Sequence, residues 1–184
     1  MTLYPFGGIT PQVHADAFVA PGARLVGDVE VGAEASIWYN CVLRGDVNRI
    51  RIGERTNIQD RSVVHVDSPK EGSAYGHPTL IGADVLIGHM AMVHGCILHD
   101  RAFVGLGSIV MDGCEIESDA MLAAGAMLTP GKRIPTGQLW AGRPAKYIRD
   151  LAPEELAAQR AGVAHYVGLA KAHREALRTA SRAA

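Results

Sequence analysis

The sequence has little of several features that would indicate common classes of protein. Its only cysteines are Cys41, Cys96 and Cys114, and their spacing does not match a zinc finger. The formal net charge is −1 and there is no run of basic residues, which argues against a nucleic-acid partner. No apolar stretch is long enough to span a membrane, and no secretory signal pattern opens the sequence. We therefore expect one cytoplasmic domain with reduced cysteines, and neither nucleic acid nor membrane as a partner.

What the sequence does have is a period of six. An aliphatic residue recurs every six positions, and the residue four places later is usually small. This period is neither the 3.6 of a helix nor the alternation of an ordinary strand. It predicts an all-β solenoid, a parallel β-helix of about seven triangular coils, rather than a sandwich or barrel, which has no reason to keep a strict phase of six. The positions expected to point inward are Val13, Val19, Leu25, Val31, Ile37, Leu43, Ile52, Ile58, Val64, Ile81, Ile87, Val93, Leu98, Val104, Val110, Ile116, Leu122, Leu128, Ile134 and Trp140.

Interruptions of the period divide the chain. Three extra residues lie between Leu43 and Ile52, and a polar insertion at 67–79 is expected to leave the β-helix as a loop. Insertions in solenoids cluster on a working face. Residues 1–149 are therefore assigned to the β-helix, and 150–184 to a C-terminal helix that packs on it within the same domain. Pro153 suits the first position of this helix.

Three histidines occupy related positions of the repeat. His65 and His94 each follow an inward position of the third face, so they should stack on adjacent coils about 4.8 Å apart. Arg44 continues their column one coil earlier. His89 lies beyond a corner, in a column with Asp60. One subunit therefore offers two metal ligands at one edge and a third at another edge.

A three-fold oligomer of triangular prisms would bring those two edges together. The register thus predicts a homotrimer with metal at its subunit interfaces. Three neutral imidazoles suit zinc, cobalt or iron, and they leave one position open for water. A zinc ion in such a site makes the bound water acidic enough to lose its proton near neutral pH.

Several motifs together resemble one known family. They are Arg44–Gly45–Asp46, the pair Gln59–Asp60 followed by His65, the run Ile-Gly-His-Met-Ala-Met-Val-His at 87–94, and the exit Gly-Arg-Pro-Ala-Lys at 142–146. With the period of six, they make the chain similar to the γ-class carbonic anhydrases over nearly its whole length. The resemblance implies a left-handed β-helix and an enzyme, a carbonate dehydratase, that reversibly hydrates CO2 to bicarbonate.

The resemblance also implies roles for individual residues. Each metal ion is expected to be bound by His65 and His94 of one subunit and His89 of the partner subunit. Arg44 and Asp46 are expected to pair at the interface. Three catalytic candidates remain. Gln59 is expected to orient the water on the metal, and Asp60 completes the matched motif. Tyr166 resembles a tyrosine that family members place near the metal.

The sequence departs from this family where protons would leave the site. The glutamates expected just after the first histidine ligand and after Asp46 are absent, since Ser68 and Val47 stand in these regions, and the loop's only glutamate is Glu71. Two alternatives therefore stay open. Beside the carbonic anhydrase interpretation, the first alternative is a hexapeptide acyltransferase or acyl-CoA thioesterase, and the second is a non-catalytic trimeric scaffold.

Overall fold

The chain forms a left-handed parallel β-helix of about seven coils followed by one helix. The structure is a computed structural model and describes residues 2–69 and 76–183. Its elements are β1 (Thr2–Tyr4), β2 (Gln12–Val13), β3 (Phe18–Val19), β4 (Arg24–Val31), β5 (Ser36–Ile37), β6 (Val42–Ile52), β7 (Asn57–Ile58), β8 (Val63–His65), β9 (Thr79–Ile81), β10 (Leu86–Ile87), β11 (Met92–His94), β12 (Ile97–Leu98), β13 (Phe103–Val104), β14 (Ile109–Val110), β15 (Glu115–Ile116), β16 (Met121–Leu122), β17 (Met127–Leu128), β18 (Arg133–Ile134), β19 (Gln138–Ala141), β20 (Lys146–Asp150) and α1 (Pro153–Ala183).

The strands form the three faces of the prism. The second face is an eight-stranded sheet that runs from β3 to β20. The first face contains β9, β12, β15 and β18, and the third face contains β8, β11, β14 and β17. β4 and β6 are long enough to belong to both of these faces and join them into one sheet of twelve strands. Neighbouring coils pair in parallel, as the period of six predicts, and β20 turns back antiparallel to β19.

The core consists of the aliphatic positions of the repeat. From Leu25 to Ile134 every predicted inward position is buried. The prediction was too simple at the two ends, where Val13, Val19 and Trp140 are only partly buried. A terminal coil has a neighbour on one side only, so its inward side chains cannot be enclosed completely.

Two interruptions of the repeat have different outcomes. The three extra residues form a bulge in β6, since Gly27 pairs with Gly45 but Val29 pairs with Ile50. The predicted loop at 67–79 ends earlier than expected, because Thr79 is fully buried and begins β9. Its hydroxyl donates to the His65 carbonyl, which fixes the return of the chain into the coil. Residues 70–75, with Glu71, lie outside the described residues.

Helix α1 begins at Pro153, as predicted, and packs on the outer side of the second face, against β3, β5, β7 and β10. At its first turn the Glu155 carboxylate accepts a hydrogen bond from the Ala152 amide, which satisfies a donor that the helix leaves unpaired. Phe18, Trp38 and Ala170 form a buried cluster where the helix crosses the first strands of this face. No helix in the described part of the chain is long and apolar enough to cross a membrane.

We call the corner where the first face meets the second the charged corner. It carries a column of alternating charges, formed by Glu34, Arg55, Asp84, Arg101 and Asp119. Each of its residues has a positive φ, which is uncommon for residues other than glycine. Two bidentate ion pairs connect neighbouring coils, Arg55 with Asp84 and Arg101 with Asp119. Helix α1 contributes a cation at each end of the column: Lys171 pairs with Glu34 at 2.6 Å, and Arg160 approaches Asp119 at 3.4 Å. These contacts fix the position of the helix along the prism.

Replacing Asp119 with asparagine should therefore lower the thermal midpoint at neutral pH by about 2–4 °C, or about 1 kcal/mol. The hydrogen bonds from Arg101 keep the pKa of Asp119 below its ordinary value against the effect of burial. Its stabilisation is thus complete above the unfolded-state pKa, about 4, and is lost as the pH falls through the lower native pKa. Thermal melts of both proteins between pH 3 and pH 8 measure this. A difference that grows on acidification would contradict the pairing.

Candidate metal centre

His65 and His94 lie side by side at the corner where the third face ends. The strand register places them directly opposite each other on adjacent coils, as the period of six predicts. His65 Nδ1 and His94 Nε2 are 3.0 Å apart, and the ring centroids are 4.9 Å apart. We call the corner that holds Asp46, His65, His94 and Asp112 the His65 corner.

Asp46 reaches His65 because of the bulge in β6. Its Oδ1 lies 3.0 Å from His65 Nε2, and its Oδ2 pairs with the Arg44 guanidinium of the same chain. Burial is the largest single influence on the pKa of Asp46, and it raises that pKa. The hydrogen bonds from His65 and Arg44 together outweigh burial, so the pKa of Asp46 is lowered overall. Asp46 is therefore a carboxylate near neutral pH and fixes the orientation of the His65 ring.

Asp112 has the same relation to His94, and the sequence analysis missed it. Its Oδ1 contacts His94 Nδ1 from the next coil of the prism. The two carboxylates thus hold the outer nitrogens of both rings and leave the inner nitrogens facing each other. If both protons are directed at the carboxylates, two lone pairs meet at 3.0 Å, an arrangement that a cation or an extra proton stabilises.

Asp112→Ala should lower the affinity of the protein for zinc about 10-fold to 100-fold, the usual effect of losing a carboxylate behind a histidine ligand. Glu115→Ala is the matched control, because it removes the carboxylate that lies 2.6 Å from His99 outside this corner. Titration of each variant against a zinc-binding dye gives the affinity. Equal affinities for both variants would mean that Asp112 does not orient a ligand.

His89 lies at the other end of the third face, where the second face meets it. Its Nδ1 is 2.9 Å from Asp60 Oδ2, so this imidazole also has a carboxylate on one nitrogen. Gln59 precedes Asp60 and is buried, and its Nε2 donates a hydrogen bond to Asn57 Oδ1 at 3.1 Å. Tyr166 packs its ring against Trp38 from α1, and burial, together with the Asp60 carboxylate, raises its pKa. We call this the His89 corner; it holds Gln59, Asp60, His89 and Tyr166.

The predicted site residues therefore fall into two sets within one chain. Arg44 and Asp46 join His65 and His94 at one corner, and the other four candidates lie at the His89 corner. Among the described residues of a single chain, no three histidine, cysteine or acidic side chains come close enough together to hold a metal ion. The predicted three-histidine set is thus not assembled within one copy.

The two histidines of the His65 corner nevertheless fit a shared ion. Nitrogens that bind one tetrahedral zinc at about 2.0–2.1 Å lie about 3.3 Å from each other. The observed separation of 3.0 Å is close to that edge. The carboxylates on the outer nitrogens are also the usual partners of metal-bound histidines. The donor set therefore fits two of the ligands of a zinc-type ion.

The cysteines do not compete for this chemistry. All three are free, as the sequence predicts, and all three are buried. Burial raises the pKa of Cys41 to about 12 and also raises the pKa of Cys96 and of Cys114. Thiols of this kind are poor nucleophiles and poor metal ligands near neutral pH.

No family model matches the chain, but individual proteins do. It is 48% identical over 163 residues to a protein named gamma carbonic anhydrase 1, mitochondrial, from Arabidopsis thaliana. That alignment covers 89% of this chain but only 59% of the Arabidopsis protein. A carbonic anhydrase from Geobacillus kaustophilus is 43% identical over 84% of this chain and 81% of its own length.

The solved structures agree on the architecture. A protein from Anaplasma phagocytophilum, described as a hexapeptide transferase family protein, superposes with a TM-score of 0.86 at 47% identity, over 93% of this chain and 97% of the other. Fold and histidine pair together define a hexapeptide-repeat β-helix protein with two carboxylate-supported histidines at one corner. By its sequence relatives, the chain belongs to the γ-carbonic anhydrase family.

Proposed function

We propose that this chain is the subunit of a metal-dependent carbonic anhydrase, a lyase that reversibly hydrates CO2 to bicarbonate. Three copies assemble, and each interface combines His65 and His94 of one subunit with His89 of the partner subunit. The observation that carries the proposal is the pair of inner nitrogens, 3.0 Å apart, whose rings are held from outside by Asp46 and Asp112. A cation between these nitrogens accounts for the arrangement, and zinc, cobalt or iron suits imidazole ligands.

The surface between the two histidine corners supports the trimer. The outward side chains of the third face form an apolar column, and no element of the described chain packs on it as α1 packs on the second face. Met92 is 38% exposed in this column, and Met90 and Leu106 at the adjoining corner are 59% and 54% exposed. Burying such a face between copies in a closed three-fold ring would bring the His65 corner of one subunit to the His89 corner of the next. The column consists of Val42, Val63, Met92, Ile109 and Met127.

The residues of the chain then divide the work of the reaction. A metal ion held by these three neutral imidazoles would supply a water whose pKa is lowered to about 7. Asp46, Asp112 and Asp60 each hold one imidazole in the tautomer that leaves its other nitrogen free to coordinate. Gln59 and Tyr166 lie at the His89 corner, so assembly would bring their polar groups to the reacting water and the substrate.

Proton release should limit this enzyme. Val47 follows Asp46, where the best enzymes of the family are expected to carry a glutamate, and it is 44% exposed. With no acid in that place, the proton must pass to dissolved buffer.

Stopped-flow CO2 hydration by zinc-loaded protein tests the proposal: turnover at fixed pH should rise with imidazole concentration, whereas the second-order constant at low CO2 should not. His94→Ala is the inactive control, and the absence of hydration by the loaded wild-type protein would overturn the proposal.

A second candidate function is acyl transfer or acyl-CoA hydrolysis. It is favoured by the Anaplasma structure, whose description is a hexapeptide transferase. Hydrolysis of short acyl-CoA esters without CO2 hydration would support it, whereas normal trimers without either activity would support a scaffold.

A cytoplasmic location stays a prediction, since the Arabidopsis relative is named as mitochondrial.

A further inference from the structure

A second concave site lies far from the histidines. A cavity of about 440 Å³ opens between α1 and the charged corner, which is opposite the third face. This volume is within the range of sites that hold small organic molecules, about 300–1,000 Å³. Since the third face is the one proposed for assembly, the cavity would stay open to solvent in that trimer.

The wall of the cavity is apolar. Leu86 and Phe103 project from the second face, and Val163 and Val167 face them from α1. Gly162 allows the helix to come this close, because a Cβ at that position would lie 3.2 Å from the Leu86 side chain. The wall therefore suits a hydrocarbon chain or a single ring.

The charged groups that line the cavity favour an anion. They are three arginines, Arg55, Arg101 and Arg160, and one carboxylate, Asp84. Arg55 and Arg101 are held in bidentate ion pairs. Arg160 makes a single long contact of 3.4 Å with Asp119, a carboxylate that already pairs with Arg101. Arg160 is thus the cation most available to a ligand.

Gln159 supplies a second donor at the same place. It is 9% exposed and lines the cavity, and its Nε2 has no hydrogen-bond acceptor among the described residues. An unpaired buried donor is costly, and most are satisfied in folded proteins. A rotation of the terminal amide would direct this donor to an acceptor in the cavity.

We propose that this cavity binds a small amphiphilic carboxylate, a hydrocarbon body with one anionic head. The body packs between the second face and α1, and the head meets Arg160 and Gln159. The site is independent of the metal corner, so neither its presence nor its loss depends on the proposed carbonic anhydrase activity.

Octanoate and 1-octanol are the test pair, because they share a chain length and differ in charge. Ligand-observed NMR titration of the full chain should give octanoate a dissociation constant of about 0.1–1 mM. Arg160→Gln should weaken octanoate binding about threefold to tenfold and leave 1-octanol unchanged. Equal affinities of the wild-type protein for the two ligands, or no binding of octanoate, would overturn the proposal.

Substitutions that fill the cavity distinguish octanoate binding at this site from octanoate binding elsewhere on the protein, including at a metal ion. Ala164→Trp and Val167→Trp both enlarge side chains that line the cavity, and each should abolish octanoate binding. Ala161→Trp is the matched control on the same helix, since that position does not line the cavity. Octanoate binding that survives both filling substitutions would contradict the assignment, and zinc content should be the same in all of these proteins.

Discussion

His65→Ala, His89→Ala and His94→Ala should each lower zinc affinity by about 100-fold to 1,000-fold, although His89 lies at a different corner from the other two. Structural zinc sites are worth about 10–16 kcal/mol, so the loss of one of three imidazole ligands should cost about 3 kcal/mol or more. Residues that were merely surface polar groups would show no such effect. Elemental analysis after dialysis, together with competition against a zinc-binding dye, measures the loss.

His99→Ala is the matched control for these substitutions. His99 is 42% exposed and pairs with Glu115, as the candidate ligands pair with aspartates, but it lies on the first face. It should retain wild-type zinc content. If His89→Ala retained zinc like the control while the other two lost it, His89 would not be the third ligand.

The second large effect concerns the ion pair in β6. Asp46→Ala should both lower zinc affinity about 10-fold to 100-fold and weaken the trimer, because it releases His65 and leaves Arg44 without a partner. Asp46 is 15% exposed in the isolated chain, and the adjoining face is the one proposed for assembly. Removing one partner of a buried ion pair costs about 3–5 kcal/mol, so the variant should dissociate at low micromolar concentration.

Sedimentation of Asp46→Ala beside Glu30→Ala tests this expectation. Glu30 pairs with Arg51 at 3.2 Å on the first face, away from the proposed interface, and is 49% exposed. Its loss should leave the trimer intact, since exposed ion pairs contribute about 0–1 kcal/mol. An intact Asp46→Ala trimer with normal zinc content would place the Arg44–Asp46 pair on a free surface.

The coils were predictable because one inward residue per hexad is a strong signal. The register derived from Val64 and Val93 also placed His65 beside His94, as the structure confirms. The ends of the prism and the return of the loop differed from the prediction. Val13 and Trp140 lack a covering coil, and Thr79 is held in β9 by hydrogen bonds that its sequence position does not reveal.

The carboxylate behind His94 could not be predicted in the same way. Asp112 comes from a later coil and lies one residue beyond the position that the strand register aligns with His94, after a slip in the phase of the repeat. Asp46 was identified by its motif, but its contact with His65 depends on the bulge between Gly45 and Ile50. The alternating charges from Glu34 to Asp119 were also missed, because insertions make their spacing in the sequence irregular.

The central claim, that one metal site is shared by two subunits, is tested most directly by mixing variants. Chains with His65→Ala and chains with His89→Ala are unfolded together, refolded into mixed trimers and assayed for bound zinc. An interface in which the first chain supplies His89 and the second supplies His65 and His94 is intact, so about one site in four should recover. Mixing His65→Ala with His94→Ala should recover none, because both ligands belong to the same corner. Equal recovery in the two mixtures, or none in either, would contradict the shared site.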